Sequence, residues 1–227
     1  MQTHISPQRT RLTNGHRLVP PVDTAFEPLV FDNVPYIYVS WERMGEYTFA
    51  LAQQILASGQ DFDCIVALAK GGWTWVRTLS DYLRIDRVSS IRFKSYTNIG
   101  ENAKLNMVQP LTESVTGQRV LIFDDVADSG QTVKGAKAYL KTMGAKKVKI
   151  AMLCYKPRSI IKPDFYAFQT PAWVVFPHEV REFVDLSYAK WMKSGLTQKE
   201  IRERFAAIGV PKTQVEYFIA LQNDKKS

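Results

Sequence analysis

Three runs with uninterrupted apolar centres, "CIVALA" (64–69), "RVLIFD" (119–124) and "KVKIAMLCY" (147–155), constrain the fold of this 227-residue chain most strongly. Each is far shorter than the ~20 residues of a membrane span. Each is also too continuously apolar for a strand with one wet face. Strands of this kind are buried on both sides, which a parallel sheet covered by helices provides. Helical patterns lie between them. Ser40 is placed to cap a helix from Trp41 to about Ala57, with Met44, Tyr47, Ala50, Leu51 and Ile55 on one face and Gly59 as its stop. A second helix follows "KGG" and reaches Leu83, and a third runs from Gln131 to Met143 before Gly144. "VSSIRF", "FYAFQ" and "WVVF" read as further strands. The pattern predicts an α/β fold with a twisted, mostly parallel sheet flanked by helices. Ligands of such sheets bind beyond the carboxyl ends of the strands, where "AKGG" and "DDVADSGQT" both fall.

Residues 1–33 contain Pro7, Pro20, Pro21 and Pro28 with no sustained period, and are expected to form an extended arm. Residues 34–180 hold the alternating core. Residues 181–227 change texture to three short helical patterns, about 180–193, 197–208 and 212–222, expected as a helical appendage. Cys64 and Cys154 sit inside apolar stretches and read as buried thiols. With no signal-like segment and no membrane span, the expected location is the cytoplasm. A net charge of +8 admits nucleic acid, a polyanionic small molecule, or merely a basic surface as its explanation.

"RVLIFDDVADSGQT" carries the chemistry. Adjacent carboxylates at a strand end, Asp124 and Asp125, can accept hydrogen bonds from two vicinal hydroxyls of a ribose. The following turn, Ala127, Asp128, Ser129, Gly130, Gln131 and Thr132, runs into a helix start. It offers convergent N–H groups, two hydroxyls and a glycine for close approach, which is what a phosphate needs. A helix cap alone would explain one of these residues, not all of them. The stretch reads as a cradle for a phosphorylated pentose.

"VLIFDDVADSGQT" resembles the 5-phosphoribosyl pyrophosphate (PRPP) signature of the type I phosphoribosyltransferases. Further segments resemble the branch that acts on 6-oxopurines, the hypoxanthine–guanine and xanthine–guanine enzymes. "ALAKGG" is similar to their pyrophosphate loop, implying roles there for Ala69, Lys70 and Gly71 and a cis peptide at Ala69–Lys70. "FKSYTNIGE" resembles their mobile loop, where Ser95 and Tyr96 would meet the pyrophosphate and close over the site. "CYKPRSIIKPDF" resembles the segment whose lysine, here Lys156, donates to the exocyclic oxygen of the purine. "WVVFPHE" resembles their hood, with Trp173 stacking on the base, the Val174 backbone reading its edge, and Glu179 near the metal. The resemblance implies Mg2+ as cofactor, with Asp124, Asp125 and Glu179 around it, PRPP and a purine base as substrates, and a homo-oligomer. It implies Asp128 as general base, and Lys70 with the Gly71 and Gly72 amides on the leaving pyrophosphate.

Without the resemblance, Trp173 reads as core, Lys156 as a surface lysine, and Trp73, Trp75 and His178 as structural. Use of adenine stays open. So does a regulator that senses PRPP and binds DNA, because "IRERFAAIGVPKTQVEYFIA" has the look of a helix-turn-helix with Lys199, Arg202, Arg204 and Lys212 nearby. Phe205 stands where a tight crossing wants a small residue, and Glu200, Glu203 and Glu216 interleave the basic groups. Packing, lid or dimer contact is therefore favoured for the tail, and nucleic-acid binding is not expected.

Overall fold

In a computed structural model of the chain, residues 27–96 and 104–224 are described. The elements are β1 (Leu29–Phe31), β2 (Val34–Tyr38), α1 (Trp41–Ala57), β3 (Cys64–Ala69), α2 (Trp73–Leu83), β4 (Val88–Tyr96), β5 (Lys104–Gln109), β6 (Arg119–Ala127), α3 (Gln131–Thr142), β7 (Lys147–Tyr155), β8 (Phe165–Gln169), β9 (Trp173–Val175), α4 (Val180–Lys193), α5 (Gln198–Ile208) and α6 (Lys212–Asp224). Among the described residues, six strands form the main sheet in the order β5-β4-β3-β6-β7-β8. All its pairings are parallel except the antiparallel β4–β5 edge. The α/β expectation, with a mostly parallel sheet flanked by helices, is what the chain adopts.

The continuous apolar strands are explained by what covers them. Side chains on a strand alternate between faces. Ile65 and Ala67 of β3 with Leu121 and Phe123 of β6 pack under α1 and α2, joining Met44, Tyr47, Leu51, Ile55, Val76 and Leu79. The intervening Cys64, Val66, Leu68, Val120 and Ile122 pack under α3 against Val133, Ala136 and Leu140. Both cysteines are buried free thiols. Ser40 caps α1, its side chain accepting from the Arg43 N–H at 3.2 Å.

Three strands, β1, β2 and β5, escaped the sequence reading. β5 occupies the polar gap before β6, where an edge strand needs no continuous apolar run. β1 lies inside the stretch expected as an arm, in an antiparallel hairpin with β2 that turns through Asp32 and Asn33, both at positive φ. β2 pairs in parallel with β9, giving a small sheet β1-β2-β9. The three C-terminal helices close on it. Tyr36 and Val175 of the sheet share a third apolar core with Phe183, Val184, Tyr188 and Trp191 of α4 and with Ile201 and Phe205 of α5. Phe205, the residue too large for a helix-turn-helix crossing, sits in that core 5.1 Å from Trp191 between ring centroids. No helix among the described residues is long and apolar enough to cross a membrane.

Candidate active site

The ends of β3, β6 and β7 deliver the expected residues to one rim. β3 stops at Ala69, whose peptide to Lys70 is cis, as the resemblance implied. The chain then passes through Gly71 and Gly72 into α2. A Cβ on Gly71 would overlap the Asp125 carboxylate, and one on Gly72 would overlap the Phe123 and Leu68 carbonyls. These glycines let the Lys70 loop lie directly against the end of β6.

Along β6, Asp125 continues the row of Leu121 and Phe123, toward α1 and α2. It is 4% exposed. Asp124 is half-buried and accepts the Asp125 backbone N–H at 3.0 Å. Burial, reinforced by the Asp125 charge, pushes the Asp124 carboxyl well above the usual carboxylate range. Gly130, at φ 80°, is the N-cap of α3 and offers no side chain to its first turn. Ser129 Oγ accepts from the Gln131 N–H at 3.4 Å. The N-terminal amides of α3 thus face the rim with the positive end of the helix behind them. The loop is braced from β7: the Lys156 N–H donates to Ala127 O at 3.2 Å, and the Ile160 N–H to Ser129 O at 3.1 Å.

Asp128 is exposed at the rim, where Arg158 Nε donates to its Oδ1 at 3.2 Å and Nη2 to the same oxygen. The sequence gives no sign that Arg158 would face Asp128. Lys156 is 4% exposed, so it is no surface lysine. Its Nζ donates to Ala172 O, one residue before β9, and burial pulls its pKa down. An ammonium has three N–H donors, so this contact leaves two. Trp173 is 52% exposed and its neighbour Val174 is buried. The indole is therefore a platform at the edge of the small sheet rather than core.

Glu179 is the N-cap of α4. Its side chain keeps some solvent, yet burial of the carboxylate and the charge of Asp125 push it up to about 7, with His178 and Lys70 opposing. Lys70, Gly71, His178, Glu179 and Arg181 line a cavity of about 550 Å³ that runs between α2 and α4. His178, read from sequence as structural, comes to the rim against Asp125. Its Nε2 lies 3.0 Å from Asp125 Oδ2. The available signal was its place beside Glu179 in "FPHE". The expected Ser95 and Tyr96 contacts cannot be followed: their backbone ends β4, paired with Leu105 and Lys104 of β5, while their side chains and residues 97–103 lie outside the described residues.

Three of the four basic residues named in the tail meet acidic groups. Arg202 pairs with Glu216 at 2.9 Å, Arg204 with Asp32 at 2.7 Å, and Lys199 approaches Glu203 at 3.9 Å. The three helices form a packed unit around the third apolar core.

Comparison with known proteins agrees with this geometry. The chain is 36% identical to hypoxanthine-guanine phosphoribosyltransferase of Bos taurus over 123 residues, covering 47% of this chain and 56% of that protein. It therefore spans little more than half the length of that relative. It is 28% identical to xanthine-guanine phosphoribosyltransferase of Idiomarina loihiensis over 145 residues, 63% of this chain and 86% of the relative. A purine phosphoribosyltransferase from Pyrococcus horikoshii superposes with a TM-score of 0.58 at 34% identity, over 63% of this chain and 93% of that one. The family profile "Phosphoribosyl transferase domain" matches residues 40–182, the span that holds every rim residue described above. The chain belongs to the phosphoribosyl transferase domain family.

Proposed function

We propose that this protein transfers the 5-phosphoribosyl group of PRPP to a 6-oxopurine, hypoxanthine, guanine or xanthine, and releases pyrophosphate. The observation that carries the reading is the convergence of three subsites on one rim: the Asp124–Thr132 turn entering α3, the Lys70 loop, and Lys156 beside Trp173. The names of the relatives, all purine phosphoribosyltransferases, support the same choice.

The reaction builds positive charge on the ribose and negative charge on the departing pyrophosphate, and the residues divide accordingly. Asp124 and Asp125 hold the ribose hydroxyls beneath the cationic ring. The amides from Asp128 to Thr132 take the 5-phosphate at the positive end of α3. Lys70 and the Gly71 and Gly72 amides receive the pyrophosphate. Asp128 takes the imidazole proton of the purine as its ring nitrogen attacks the anomeric carbon. Trp173 stacks on the base, the Val174 backbone reads its edge, and Ser95 and Tyr96 close over the site. The carboxylate oxygens of Asp124, Asp125 and Glu179 suit Mg2+, a hard cation that favours oxygen donors. Mg2+ would neutralise the leaving pyrophosphate when bound.

An assay of the purified full chain with PRPP and each of hypoxanthine, guanine, xanthine and adenine tests the proposal. Nucleotide is expected from at least one oxopurine; no nucleotide from any of the four would overturn it. Lys156 supplies a further expectation. Because it is buried, Lys156→Met keeps its volume while removing the donor. The loss of a charged hydrogen bond to the exocyclic oxygen should cut kcat/KM for oxopurines by roughly 10–100-fold and leave adenine nearly unaffected. An unchanged ranking of bases would remove Lys156 from base selection.

A further inference from the structure

Arg158 has no part in the reaction above, yet its side chain meets the proposed general base. Nε and Nη2, which share one edge of the guanidinium, both donate to Asp128 Oδ1, Nε at 3.2 Å. Oδ2 of the same carboxylate accepts no hydrogen bond among the described residues. Both side chains are more than half exposed, Arg158 at 65% and Asp128 at 51%. Exposed ion pairs of this kind add little to stability. A stabilising role therefore leaves the contact unexplained.

The backbone around the pair is not that of a chance surface contact. On one side of Asp128, Ala127 O accepts the Lys156 N–H at 3.2 Å; on the other, Ser129 O accepts the Ile160 N–H at 3.1 Å. Arg158 lies between those two donors, in a turn closed by the Ser159 N–H to Lys156 O at 2.9 Å. The two loops are so close that a Cβ on Gly130 would overlap Ser159 Oγ. Acid and arginine thus occupy matched positions on two segments laced together on either side of them. The same turn begins at Lys156, the residue proposed to select the purine.

A general base must lie within about 3 Å of the atom whose proton it takes. An exposed aspartate left to itself turns its carboxylate widely, because its χ2 well is broad. A rigid planar fork on Oδ1 fixes that plane and leaves Oδ2 for the purine. Arginine stays protonated and does not compete for the proton itself. We propose that Arg158 is a positioning residue for the transfer, holding Oδ1 of Asp128 so that Oδ2 faces the imidazole N–H of the bound purine. As the ring nitrogen bonds to the anomeric carbon and the bond to pyrophosphate breaks, the proton passes to Oδ2. The inference rests on the transferase reading.

The test follows single-turnover nucleotide formation by the full chain from PRPP and each of hypoxanthine, guanine and xanthine, with PRPP binding measured by calorimetry. Arg158→Gln should lower the rate roughly 10–100-fold, keep the PRPP Kd within about twofold, and leave the melting temperature unchanged. Arg158→Lys, which keeps the charge and loses the fork, should recover at most part of the rate. In an Asp128→Ala background, Arg158→Gln should cost less than about twofold more, because the group it acts through is already gone. A merely structural role would not produce that coupling. The inference falls if Arg158→Gln turns over like wild type, if Arg158→Lys restores the full rate, or if the two losses multiply in the double variant. It falls also if PRPP affinity drops as far as the rate, which would make Arg158 a phosphate ligand. Nucleotide from wild type with multiplying losses sinks this inference alone; no nucleotide from wild type sinks the transferase reading as well.

Discussion

Asp128→Ala should lower kcat by roughly 10²–10⁴-fold while leaving the affinity for PRPP nearly unchanged. The side chain stands exposed at the rim and its hydrogen-bond partner is Arg158, so its removal takes nothing from the core. Thermal stability should therefore stay within about 0.5 kcal/mol of wild type, and a loss of turnover cannot be blamed on misfolding. The assay is single-turnover formation of nucleotide, with PRPP binding measured separately by calorimetry. Wild-type turnover in this variant would remove Asp128 as the general base. Equal losses in PRPP binding and in turnover would make it a substrate ligand instead.

The second large effect lies far from the rim. Trp191→Ala should destabilise the protein by about 3–5 kcal/mol, a large fraction of the stability of a typical domain. Trp191 is fully buried and meets Phe31, Tyr36, Phe183 and Phe205, with the Arg204 guanidinium 5.3 Å from its ring. The cavity would open under the small sheet that carries Trp173 and Val174. Equilibrium urea unfolding should show the loss, and affinity for the purine should fall with it. A midpoint equal to wild type would mean that the C-terminal helices do not support the small sheet.

Much of this was legible beforehand because the signals were local. The main strands announced themselves by continuous apolar runs, and the helices by caps and periodic faces; the three C-terminal helices begin and end within two residues of where their pattern placed them. The Asp124–Thr132 turn was legible because its residues are contiguous in sequence. What escaped was non-local. β5 is an edge strand whose partner is β4, and β1 takes its order from a hairpin with β2. Arg158 reaches Asp128 across thirty residues, and His178 reaches Asp125 across fifty-three. Nothing in the spacing of either pair reveals the meeting, since it depends on where β7 and β9 end.

One short span has a mechanical consequence. Residues 173–179 run from the Trp173 platform, through Pro177, to Glu179 at the start of α4, and Val174, Val175 and Phe176 between them are buried in the cores on either side. On the roles proposed above, that segment is a ruler with the base at one end and the leaving group at the other. A bulkier heterocycle cannot be admitted by tilting the platform alone, because the same displacement would carry the acid away from its post. Changes of base preference in this protein should therefore surface first as altered grip on pyrophosphate.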